Sequence, residues 1–170
     1  EKRSHMRQVC LSLTILVVFL GSVLTTGASP AWARLFPVII TNRTKGQPYT
    51  PPIVVSHKAD FQVFEAGTPA SVELESIGDG GETNPLAALL LGSADVRDTV
   101  QGDAIGPGIS ATFTIDVRFS SDLGKRFSRI SVVTMLIPTN DTFIALDGFK
   151  VRHDRAETVF LRAYDAGTEL

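Results

Sequence analysis

The chain has 170 residues, 44% of them hydrophobic and 20% charged, with 16 Lys and Arg against 18 Asp and Glu. That length holds one domain of roughly 100–150 residues plus a short extra piece, and the slight acidity excludes a nucleic-acid binder, which needs a basic surface. A single cysteine, Cys10, excludes a disulfide framework and a thiolate metal site.

The extra piece comes first. Lys2, Arg3 and Arg7 flank the start of an apolar run, Leu11 to Leu24, and small residues follow as far as Ala31-Trp32-Ala33. A basic start, a short apolar core and an A-x-A site predict a secretory signal peptide over residues 1–33, with Met6 as the natural start. The run is shorter than the ~20 residues that span a bilayer, so no membrane span is expected after cleavage. Removing 1–33 takes away three basic residues and one acid, which leaves 13 against 17 and a net charge of −4 for residues 34–170. Cys10 leaves with the signal. The exported domain then depends on its core, or on a bound ion, for stability.

Leu35 to Thr41 reads as a strand with Pro37 near its start, and Asn42 to Pro52 as a turn-rich loop. Ile53 to His57 and Phe61 to Phe64 are short β-prone runs. Ala70 to Ile77 predicts one or two helical turns, closed by Gly78-Asp79-Gly80-Gly81. Asn84-Pro85 is an N-cap followed by Pro at the first helical position, and Gly92 is a natural stop after Leu86 to Leu91. From Ile109 the pattern turns β. Phe113, Ile115, Val117 and Phe119 alternate with Thr112, Thr114, Asp116 and Arg118, the signature of a half-buried strand. Ser131 to Ile137 is apolar on both faces, as in a central strand. Phe143 to Val151 and Thr158 to Tyr164 supply two more. Short strands joined by Gly and Pro turns predict an all-β antiparallel sandwich with one or two short helices.

Catalytic signatures are missing. There is no H-E-x-x-H, no G-x-S-x-G elbow and no phosphate-binding loop. His57 closes a strand and reads as a structural hydrogen-bonding residue, while His153 sits in the charged loop 152–155. The chain is therefore not expected to be an enzyme.

The carboxylates are better placed. Asp141, Asp147, Asp165 and Glu169 fall at turns or strand ends, and Asp116 lies on the polar face of its strand. Pro138-Thr139-Asn140-Asp141 is a turn that ends one strand near Ile137 and lifts Asp141 to the rim. Asp165 and Glu169 stand four apart across Gly167, which can adopt the positive φ that folds both back toward one point. If Asp141 meets that pair, three like charges repel unless a cation such as Ca²⁺, which takes about six to eight oxygen ligands, holds them. The alternative is three separately solvated acids. No EF-hand loop is present, and Gly78-Asp79-Gly80-Gly81-Glu82 reads as a plain turn.

Two segments carry a family resemblance. Ser131 to Asp147 (SVVTMLIPTNDTFIALD) and Tyr164-Asp165-Ala166-Gly167-Thr168-Glu169 resemble the two signatures of the spondin domain, an apolar strand with a Pro-rich turn and Asp, and Y-D-A-G-T-[DE]. Thr41 to Pro52 resembles the secreted bacterial branch of that family. The resemblance implies a C2-like β-sandwich in a secreted or periplasmic protein, with Ca²⁺ at one end and, in the animal members, a role in adhesion or matrix binding. It implies Asp141, Asp165 and Glu169 as calcium ligands and Asp116 as a fourth acidic position. The turn departs from the animal Pro-Ser-Pro-Asp-Trp, reading Pro138-Thr139-Asn140-Asp141-Thr142 without the aromatic.

The expectation is an exported calcium-binding module for an extracellular protein or glycan. A secreted hydrolase using a carboxylate pair and an ion-free structural module are the alternatives.

Overall fold

A computed structural model describes residues 32–168, folded as an all-β antiparallel sandwich with two short helices. The strands are β1 (Trp32–Thr41), β2 (Ile53–His57), β3 (Val96–Gln101), β4 (Ser110–Phe119), β5 (Arg129–Met135), β6 (Thr142–Lys150) and β7 (Arg162–Asp165). Helices α1 (Val72–Gly80) and α2 (Asn84–Leu91) lie between β2 and β3. β1 pairs with β4 in a two-stranded sheet, and the other five strands form a sheet in the order β3-β2-β5-β6-β7. The predicted signal peptide falls outside the described residues except for Trp32 and Ala33, which open β1.

The centre of the larger sheet has no wet face. In β2 every residue is buried, and in β5 all but Arg129. Ile53, Val55, Val133 and Met135 point to one side, where Leu74 and Ile77 of α1 and Leu86 and Leu90 of α2 cover them. Val54, Val132 and Ile144 point to the other side, against Phe113, Ile115 and Val117 of β4 and Ile40 of β1. Continuous apolar runs are what a sheet covered on both faces requires, whereas β4 keeps one outer face and so alternates.

Several boundaries differ from the sequence expectation. Phe61 to Phe64 is not a strand. Its backbone is irregular, and Phe64 packs edge-on against Phe143 and Tyr164. β3 was not expected, because Arg97, Asp98 and Thr99 break any alternation in an edge strand. Of Thr158 to Tyr164 only the end pairs with β6, from Arg162 onward. α1 runs through Gly78 and Asp79 to Gly80, and Gly81 caps it at φ 69° with its N–H on Ile77 O. Thr83, not Asn84, is the cap of α2.

Gly81 is fixed from two sides. Its positive φ disfavours any side chain, and a Cβ there would stand 2.4 Å from Thr50 Cγ2. Thr50 cannot swing aside freely, since its Oγ1 accepts the Met135 N–H at 2.9 Å. Gly67 has φ 89° but open space around it. Gly67→Ala should therefore cost only the left-handed backbone term, about 1 kcal/mol. Gly81→Ala should cost about 2–4 kcal/mol, because overpacking adds to the same term. Urea midpoints of the two variants check the difference, and equal losses would remove the steric part of the account.

Candidate metal centre

Two turns and a helix end meet at one rim of the sandwich. Past β5 the chain turns through a cis Ile137–Pro138 bond to Asp141, a non-glycine residue at φ 68°. Such a conformation persists only where neighbours hold it. Here the Asp141 carbonyl accepts the Ala166 N–H at 2.8 Å, which ties the turn to the residue after β7. The Asp141 carboxylate is not displayed on an open rim. It is 6% exposed, with Oδ2 accepting the Thr168 N–H at 2.8 Å and Oδ1 2.6 Å from Thr168 Oγ1. Gly167 takes the expected positive φ, 77°, and donates its N–H to Asp165 Oδ1 at 2.8 Å.

The third wall is α1. A Cβ on Gly78 would stand 3.0 Å from Ala166 Cβ and 3.3 Å from the Asp141 carbonyl, so glycine lets the helix end close on the joined turns. The next residue, Asp79, places Oδ1 2.6 Å from the same Thr168 hydroxyl. One hydroxyl proton thus faces two carboxylates, and two 2.6 Å contacts hold their oxygens within about 5.2 Å of each other. Only one of them can receive the proton. Asp79 also sits at a helix C-terminus, whose partial negative charge disfavours an anion, and no basic residue stands in that last turn. Both features favour a cation near Thr168. The donors are hard oxygens, the set that suits Ca²⁺.

Sequence reasoning brought Asp141 and the 164–169 turn together, and passed over Asp79. The signal was present in Gly78, whose lack of a side chain permits the close approach, but its partner lies far along the chain. Glu169 lies outside the described residues. Among the described residues no three His, Cys, Asp or Glu side chains form a group that could hold a metal. Asp116 is not brought to this rim. Its Oδ2 accepts from Arg97 at 2.6 Å, its N–H reaches Asp98 and its carbonyl accepts from Ser56. Ser56 pairs with Ile130, five residues back along β5 from Met135 at the rim end. The Asp116 Oδ1 is buried with no hydrogen-bond partner.

A serine, a histidine and an aspartate also meet elsewhere, in an order unlike a nucleophile–base–acid relay. Ser131, fully buried, lies between the other two, 2.8 Å from His57 Nε2 and 2.8 Å from Asp147 Oδ1, and accepts the Gly148 N–H. The Asp147 carboxylate also receives the Val63 N–H, which pins the irregular 61–64 segment to the sheet. His57 Nδ1 faces the Lys58 carbonyl at 2.7 Å and so carries a proton. Burial pushes the His57 pKa below its ordinary value, while the Lys58 carbonyl and the Asp147 charge pull it up and Arg129 pulls it down.

A family model described as Spondin_N matches residues 25–170. No curated protein matches the chain. No helix among the described residues is long and apolar enough to cross a membrane.

The His57 network has a pH signature. With its folded pKa lowered, His57 binds fewer protons folded than unfolded, so its contribution is present above the unfolded value of about 6.5 and is lost as pH falls from there. Urea midpoints at pH 8, 6.5 and 5 should fall for the native chain. The fall should be shallower in His57→Gln, which starts less stable because Ser131 loses a partner. Parallel slopes for the two proteins would remove His57 as the source.

Proposed function

The chain belongs to the Spondin_N family, and from that membership we propose an exported, calcium-binding β-sandwich that acts as a binding or adhesion module outside the cell or at its surface. The observation that carries the calcium part is the sharing of one Thr168 hydroxyl by Asp79 and Asp141. Asp79, Asp141 and Asp165, with Glu169 of the same signature, are the proposed ligands. Ca²⁺ supplies charge and oxygen coordination here and no bond-making chemistry.

What the chain's own residues do is structural. Asp141 joins the β5–β6 turn to the end of β7, and Thr168 links that join to α1. An ion at the rim would hold three segments that are distant in sequence, and so fix the surface they present. The proposed role is non-catalytic, with Ser131 enclosed between His57 and Asp147 rather than open to a substrate. The partner class is an extracellular protein or glycan.

Thermal unfolding with excess Ca²⁺ and with EGTA tests this reading. Ca²⁺ at a hundred times Kd should add about 2.7 kcal/mol to the native chain. Asp141→Asn and Asp79→Asn should lose most of that response, and a conservative amide keeps the shape of each site. Identical melting in the two solutions would overturn the calcium reading and leave the sandwich as an ion-free module.

A further inference from the structure

At the opposite end of the sandwich lies a cleft of about 510 Å³. Lys150 closes β6 eight residues from Thr142, which puts the cleft roughly 27 Å from the acidic rim. Its lining includes Arg34 of β1, Arg126 and Ser128 before β5, and Lys150 and Arg152 at the end of β6. Asp154 is the one acid among them, and it pairs with Arg152 at 3.6 Å.

Three cations in this cleft have no acidic partner among the described residues. Arg34, Arg126 and Lys150 form no ion pair among the described residues, as is also true of Arg43, Lys45, Arg118, Arg129 and Arg162, and what sets the three apart is that they line one cleft. Concentrating unpaired positive charge in a concave wall of a net acidic domain raises the local potential rather than dispersing it. The Arg126 guanidinium is also aimed. Its Nε donates to the Ser120 carbonyl at 2.5 Å, which orients the fork, and its terminal nitrogens meet no acceptor among the described residues.

Hydroxyl donors stand beside the charges. Ser128 is only 6% exposed, lines the cleft, and makes no side-chain hydrogen bond among the described residues. Its backbone is held by the bond from Val151 N–H to Ser128 O at 2.9 Å, so the side chain has a fixed base. Ser120, 8% exposed, accepts the Asp122 N–H and keeps its own proton to donate. Both hydroxyls can therefore turn a proton toward an acceptor seated in the cleft.

The geometry points to a binding site for a tetrahedral oxyanion, a sulfate or phosphate group, seated between Arg126, Lys150 and Arg34 and hydrogen-bonded by Ser128. Arg forks and Lys point charges are the side chains that hold such groups. The volume falls within the usual range for small-molecule sites and exceeds what one inorganic ion fills, so it leaves room for an organic body carrying the group. The site is separate from the acidic rim and does not depend on calcium.

Titration calorimetry of the full chain with inorganic sulfate, inorganic phosphate, glucose 6-sulfate and glucose 6-phosphate tests it. Binding is expected, weakening as salt rises, and glucose alone should give no heat. Tighter binding of the esters assigns the source as a sugar-borne group, and equal affinity assigns it as the free ion. Arg126→Gln should weaken either about tenfold, the loss expected for a charged hydrogen bond. Ser128→Ala, a smaller change, should weaken it less, and Asp141→Asn should bind as the native chain does. No heat with any of the four anions at low salt, or full affinity retained in a correctly melting Arg126→Gln, Lys150→Gln double variant, would overturn the proposal.

Discussion

The larger sheet cannot expose either face at its centre, and most of the architecture follows from that. β2 and β5 carry apolar side chains on alternate sides, so two separate covers are needed. The β1–β4 pair supplies one and the α1–α2 pair the other. The helices enter in the single connection between β2 and β3, the neighbours at one side of the sheet, and this brings the end of α1 across to the rim. The candidate metal centre is thus a by-product of covering the sheet. Asp79 reaches Thr168 because Leu74 and Ile77, earlier in the same helix, are buried against β5 and β6.

The two ends of the sandwich differ in electrostatic character for reasons that lie in strand order. β6 begins at the acidic turn and ends at Lys150, so one strand links the rim to the basic cleft. At the rim, carboxylates converge on one hydroxyl and the helix end adds to their negative field. At the cleft, guanidinium and ammonium groups outnumber the one carboxylate in the lining, that of Asp154, which pairs with Arg152. A net charge of small magnitude conceals this separation, because composition sums what the fold segregates.

Legibility in the sequence tracked how local the cause was. Ile53 to His57 was read at its true bounds because a fully buried strand leaves an unbroken apolar run, and the β4 alternation was as clear. β3 left no pattern, since Arg97 and Asp98 are occupied with Asp116 rather than with a core. Thr158 to Val159 has the composition of a strand but pairs with nothing until Arg162. At the site, the Asp141 and Asp165 turns were visible as Pro and Gly punctuation. Asp79 was not, because a residue inside a Gly-Asp-Gly-Gly run shows its role only when a threonine 89 positions away is placed beside it. Asp116 was grouped with the rim by resemblance, whereas its strand position holds it beside Arg97.

β1 has a further consequence, for behaviour at high concentration. It pairs only with β4 among the described strands, and Leu35 and Ile39 stand exposed on it. An open strand with apolar side chains is a template for self-association of copies. Pro37 sits between those two residues and removes a backbone donor where a second chain would pair, and Arg34 adds a charge nearby. The same strand that closes the core therefore carries its own block to edge-to-edge stacking, a proline in the middle of it.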